Sequence, residues 1–84
     1  MYTDREQEGI DKIIAKVKEI AKVDVLAEDD IFEKGVKSIH AIRLIFFLKQ
    51  EFPQIKDDIN AEKLTKHRTP ASVAKYIIEK LGWW

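Results

Sequence analysis

Residues 38–52 constrain the fold more than any other stretch of this chain. Ile39, Ala41, Ile42, Leu44, Ile45, Phe46, Phe47, Leu48 and Phe52 dominate the span. At roughly 100° per residue, Ala41, Leu44, Ile45, Leu48 and Phe52 fall on one side of a helix. Ile39, Ile42 and Phe46 form a second stripe at the spacing of helical neighbours. Such a helix has to bury its main stripe against other elements. The chain supplies two more stripes of helical period. Ile10, Ile13, Ile14, Val17, Ile20 and Ala21 make the one before it, and Val73, Ala74, Ile77, Ile78 and Leu81 the one after it. The pattern predicts an all-α fold, a small bundle of three longer helices plus one short helix.

Start and stop signals place these helices. Thr3 and Glu6 stand at capping-box spacing, so the first helix is expected over residues 3–21. Gly9 reads as a mild flaw inside it, costing about 1 kcal/mol against Ala, and the first two turns are expected to fray. Residues 22–37 form a long connection, of a length that is uncommon in small domains and often functional. Val25, Leu26, Ile31 and Phe32 are expected to plug it into the core. Asp29-Asp30 is expected to cap a turn starting at Ile31, and Gly35 to supply a backbone angle that other residues resist. Pro53 ends the second helix at Phe52. A connector over residues 53–59 follows, then a brief helical turn, Ala61 to Leu64, capped by Asn60 with Leu64 pointing inward. Thr69-Pro70 opens the last helix, with Thr as cap and Pro at the first position. Gly82 stops it. Trp83 is expected to fold back on Ile78.

Composition removes several function classes. Eighty-four residues make one domain, residues 1–84, which buries roughly 60–65% of its unfolded surface and leaves no deep cleft by default. The chain has no cysteine, so disulfides and thiolate metal sites are excluded. Fifteen basic and fifteen acidic residues give zero formal charge, whereas a nucleic-acid binder of this size is usually basic. The longest apolar run, Leu44 to Leu48, is far shorter than the roughly 20 residues of a membrane span. Residues 1–6 lack the apolar core of a signal peptide. The expectation is a cytoplasmic monomer with no nucleic-acid or membrane partner.

The chemistry-bearing residues gather at the start of the second helix. Asp30, Phe32, Gly35, Ser38 and Ile39 are followed by Ala41 and Arg43-Leu44. This series resembles the carrier-protein family, meaning acyl carrier proteins and the peptidyl carrier (thiolation) domains of nonribosomal synthesis. The resemblance covers most of the chain in the order of its helices, and its residue-level match is confined to the neighbourhood of Ser38. It implies a carrier-protein bundle with 4′-phosphopantetheine, delivered from coenzyme A, attached covalently to Ser38. It also implies a free-standing, non-enzymatic carrier of acyl or aminoacyl thioesters for fatty-acid, polyketide or nonribosomal-peptide synthesis. The implied partners are a phosphopantetheinyl transferase, a loading enzyme for acyl or aminoacyl groups, and downstream synthase or transferase enzymes. The match at Ala41 and Arg43-Leu44 leans towards the peptidyl-carrier side. Two departures stand out. Lys37 precedes the serine where acyl carriers often have Asp, and His40, Arg43 and Lys49 occupy helix positions that are usually acidic in fatty-acid carriers.

The bare residues allow plainer readings. A Ser before an apolar helix is ordinarily an N-cap. His40 and His67 lack neighbouring ligands and read as surface histidines. Asp29-Asp30 and Asp57-Asp58 suit turns and caps. Lys66-His67-Arg68 reads as a solvated loop, and Trp83-Trp84 as a packed or docking tail. The second stripe, with Ser38 and Lys49 on its side, is expected to face solvent as a partner-docking surface built from Lys37, Ile39, Ile42, Arg43, Phe46 and Lys49. The alternative to a carrier is an unmodified helical interaction module of the same fold. A small nucleic-acid binder comes next, and an enzyme last.

Overall fold

Three amphipathic stripes and a pinned loop assemble into a helical bundle, with four α-helices among the described residues. The computed structural model of the chain describes residues 2–82. Helix α1 spans Asp4–Ala21, α2 spans Ser38–Glu51, α3 spans Ala61–Lys66 and α4 spans Pro70–Leu81. A 3-10 segment, Pro53–Asp58, joins α2 to α3 and is kinked at Ile55. No strand occurs among the described residues, and the all-α expectation holds. Trp83 and Trp84, expected as a packed or docking tail, lie outside the described residues.

The helix starts follow from local side-chain chemistry. Thr3 Oγ1 accepts from the Glu6 N–H at 3.1 Å while Glu6 Oε1 accepts from the Thr3 N–H at 2.8 Å. Two of the orphan donors of α1 are thereby satisfied. Asn60 Oδ1 accepts from the Lys63 N–H to start α3, and Thr69 Oγ1 accepts from the Ser72 N–H to start α4. The stops are equally local. Lys22 and Gly82 close α1 and α4 in left-handed conformations. Helix α2 ends at Glu51, one residue earlier than expected, and Phe52 closes it by donating its N–H to the Leu48 carbonyl at 2.9 Å.

The core is the meeting of the three predicted stripes. Ile13, Val17, Leu44, Leu48, Phe52, Leu64, Val73 and Ile77 belong to one buried cluster, and Phe32 packs half-buried against it. Burying a side chain of this kind stabilises by about 1.5–3 kcal/mol. Val36, Ile55 and Ile59 are buried as well, though they carry no periodic signal.

Two expectations are corrected here. Leu26 does not plug the core; it is 73% exposed. Asp29 Oδ2 accepts from the Leu26 N–H, and the Leu26 carbonyl accepts from the Asp29 N–H, which closes a tight turn. Val25 enters the core ahead of that turn, and its neighbour in the chain is directed outward. Gly9 is not a flaw either. A β-carbon at Gly9 would sit 3.2 Å from the Ala74 β-carbon, so its missing side chain lets α1 approach α4 closely.

Candidate functional site

Asp30 organises the approach to Ser38. Its Oδ1 accepts from the Phe32 and Glu33 N–H groups at 2.9 and 3.2 Å, which starts the expected turn. Its Oδ2 accepts from Arg68 Nε at 2.6 Å. The Arg68 guanidinium also lies 4.9 Å from the centre of the Phe32 ring, and the Arg68 carbonyl accepts from the Ile31 N–H at 2.9 Å. The connection between α3 and α4 thus holds the loop before α2 from its far side. Lys66 and Arg68 are exposed, as the solvated-loop reading has them, but Lys66 ends α3 and Arg68 is engaged in this clamp. His67 is likewise engaged, stacked on Tyr76 with ring centres 4.8 Å apart.

The loop then turns at Gly35, whose φ is +123°, a region that residues with a β-carbon rarely adopt. The Val36 N–H donates to the Ile31 carbonyl at 3.0 Å and Val36 is buried, so the chain is fixed two residues before Ser38. Lys37 occupies the N-cap position with extended dihedrals, and Ser38 is the first residue of α2. The reading of Ser38 as a plain N-cap is therefore corrected. His40 takes up part of the capping work: its Nδ1 accepts from the Lys37 N–H at 3.1 Å. This is a capping role for a residue that reads from the sequence as an ordinary surface histidine.

The start of α2 suits an anionic ester. The first helical hydrogen bond runs from the Ala41 N–H to the Lys37 carbonyl, so the N–H groups of Ser38, Ile39 and His40 have no helical acceptor. No acidic residue stands in the first turn of α2, whereas α1 has Asp4 and Glu6 there. The first turn of α2 therefore supplies no carboxylate of its own to the positive end of the helix dipole. Ser38 is exposed.

A second serine provides a contrast. The sequence holds only Ser38 and Ser72. Ser72 also lies in the first turn of a helix, but it is half-buried, and its Oγ accepts from the Thr69 hydroxyl at 3.0 Å. The family model described as a phosphopantetheine attachment site matches residues 11–77, a span that includes both serines. The chain belongs to the phosphopantetheine-attachment carrier family. No curated protein and no solved structure matches it.

Family membership settles the coarse chemistry. Carrier domains of this family are non-catalytic and hold a covalent 4′-phosphopantetheine, placed by a phosphopantetheinyl transferase. The carrier has no group of metal-ligating residues among those described. None of its described helices is long and apolar enough to cross a membrane. The expected docking residues lie as follows. Ile39, Ile42 and Phe46 are 59%, 53% and 63% exposed. Lys37 and Arg43 are exposed and Lys49 is half-buried.

The clamp at Asp30 has a pH consequence. The hydrogen bond from Arg68 holds the Asp30 carboxyl below its ordinary range, and the Phe32 and Glu33 N–H groups add to this. A carboxyl depressed on folding contributes stability above its unfolded pKa, about 3.9, and loses it as pH falls through the lower folded value. Asp30→Asn is therefore expected to reduce stability near neutral pH, with the gap to wild type closing as pH drops through that range. Urea midpoints from neutral pH down to about pH 3 check this. An unchanging gap would mean that the clamp does not depend on charge.

Proposed function

We propose that Ser38 is the attachment point and that the protein carries acyl or aminoacyl groups on an arm joined there. The contrast between the two serines carries this reading. Ser38 is exposed at a helix start whose first N–H groups have no helical acceptor, while the Ser72 hydroxyl is engaged by Thr69. The residues present suit the phosphodiester. Donor groups and the helix dipole favour its charge, and Lys37 adds a cation at the N-cap. When bound, the arm supplies a terminal thiol that holds the cargo as a thioester.

The protein's own part is presentation. The Asp30–Arg68 clamp, the Gly35 turn and buried Val36 fix the loop, and the buried face of α2 fixes the helix. The Ser38 oxygen then sits at a defined place on a rigid support. Tethering raises the effective concentration of the cargo at each partner. The Ala41 and Arg43-Leu44 pattern favours aminoacyl or peptidyl cargo over fatty acyl chains. The partners that follow are a loading enzyme and downstream synthase or transferase enzymes.

The test incubates apo-protein with a broad-specificity phosphopantetheinyl transferase and coenzyme A, followed by intact mass. Wild type and Ser72→Ala are expected to gain one phosphopantetheine group, and Ser38→Ala none. No gain in wild type under any transferase would instead favour an unmodified interaction module of the same fold.

A further inference from the structure

Helix α2 shows solvent a face that a buried helix would hide. Ile39, Ile42 and Phe46 are each more than half exposed. They stand three and four residues apart and so form one ridge, opposite the buried Ala41, Leu44, Ile45 and Leu48. At roughly 100° per residue, Arg43 lies along one side of that ridge and Lys49 along the other. Lys37 stands at its Ser38 end.

The charged side chains that α2 and its N-cap place beside this ridge are cations. Helix α2 has a single acidic residue, Glu51, and its Oε1 is paired with Lys12 Nζ of α1 at 3.2 Å. Some cations elsewhere find carboxylates, though Lys22, Lys56, Lys63, Lys75 and Lys80 make no ion pair among the described residues. Lys16 pairs with Glu19, Lys18 with Asp24, Lys66 with Glu62 and Arg68 with Asp30. Lys34 lies 4.0 Å from Asp29. Lys37, Arg43 and Lys49 make no ion pair among the described residues. An apolar ridge with free cations on both sides and at one end leaves its charge to be met by something else.

We propose that this face docks enzymes whose contact surface is an apolar hollow rimmed by carboxylates. The proposal rests on the reading that such enzymes act at Ser38. It adds the sign of their charge. Ile42 and Phe46 enter the hollow, and Lys37, Arg43 and Lys49 meet the rim. Complementary rims speed encounter and reject surfaces of like charge. A partner with a basic contact surface would face three cations of like charge and be disfavoured.

The test uses isotope-labelled apo-protein and two phosphopantetheinyl transferases, one with an acidic and one with a basic carrier-facing surface, without coenzyme A. Chemical-shift changes report where each binds, and titration reports how tightly. The acidic-faced transferase is expected to bind more tightly, to shift the amides of Ile39, Ile42 and Phe46, and to weaken as salt rises. Arg43→Glu with Lys49→Glu is expected to weaken it about tenfold or more, since two exposed pairs are lost. The same double variant should improve binding of the basic-faced one. Phe46→Ala is expected to weaken binding while leaving the melting midpoint nearly unchanged, which separates docking from folding. Equal or tighter binding of the basic-faced transferase, shifts mapping away from α2, or no binding of either overturns the proposal. Because coenzyme A is absent, these outcomes do not depend on whether Ser38 accepts the arm. Failure of modification with acidic-faced docking intact would remove the carrier reading alone.

Discussion

Leu48→Ala is expected to cost about 2–5 kcal/mol of stability, and Phe46→Ala, two residues earlier on the same helix, almost nothing. The difference comes from helical geometry. Leu48 is 1% exposed, whereas Phe46 is mostly in solvent. Leu48 lines the junction of α2, α3 and α4 together with Ile59, Leu64, Val73 and Ile77. Removing its side chain opens a hole where three helices meet, and close-packed surroundings relax only partly. Small domains have about 5–15 kcal/mol in total, so the loss is a large share. Denaturant melts of both variants check it. Equal midpoints would mean that α2 is rotated about its axis from the placement described above.

Replacing Gly35 with Ala is expected to harm both stability and the approach to Ser38. The obstacle is the backbone and not the space. A β-carbon at Gly35 would meet Val23 Cγ2 at 3.4 Å, an ordinary contact. The φ of +123° is what a β-carbon resists, at a cost of about 1–3 kcal/mol. The chain can relieve that strain only by disturbing the Val36 to Ile31 hydrogen bond and the seat of Val36. Ser38 follows two residues later. The expected results are a lower denaturant midpoint and a lower kcat/KM for modification by a transferase. Unchanged values for both would show that the turn is free to rearrange without moving the serine.

The helices were readable because their signals are local. Thr3 with Glu6, Asn60, and Thr69-Pro70 act on backbone groups a few residues away, and the three stripes need only the helical period. The exposed ridge of α2 was readable for the same reason, since rotation per residue places Ile39, Ile42 and Phe46 together. The loop was harder. Without a period, nothing separates Leu26, which faces solvent, from Val36, which is buried. Ile55 and Ile59 in the connector give no pattern for the same reason. Tertiary contacts were out of reach altogether. The Arg68 clamp on Asp30 joins segments far apart in the chain, and the closeness of Gly9 to Ala74 depends on how α1 meets α4. At the site, Ser38 was placed correctly at the start of α2. Its position as the first helical residue, with Lys37 as the cap and His40 bonded to the Lys37 N–H, turns on one residue of backbone geometry.

Which serine bears the arm decides how the carrier presents its cargo. The direct measurement leaves the sequence untouched: modify wild-type protein with transferase and coenzyme A, digest it, and fragment the peptides by mass spectrometry. The expected result is a single phosphopantetheine on the peptide containing Ser38, with Ser72 unmodified. Phosphopantetheine on Ser72, or a digest in which neither serine carries it, would contradict the account.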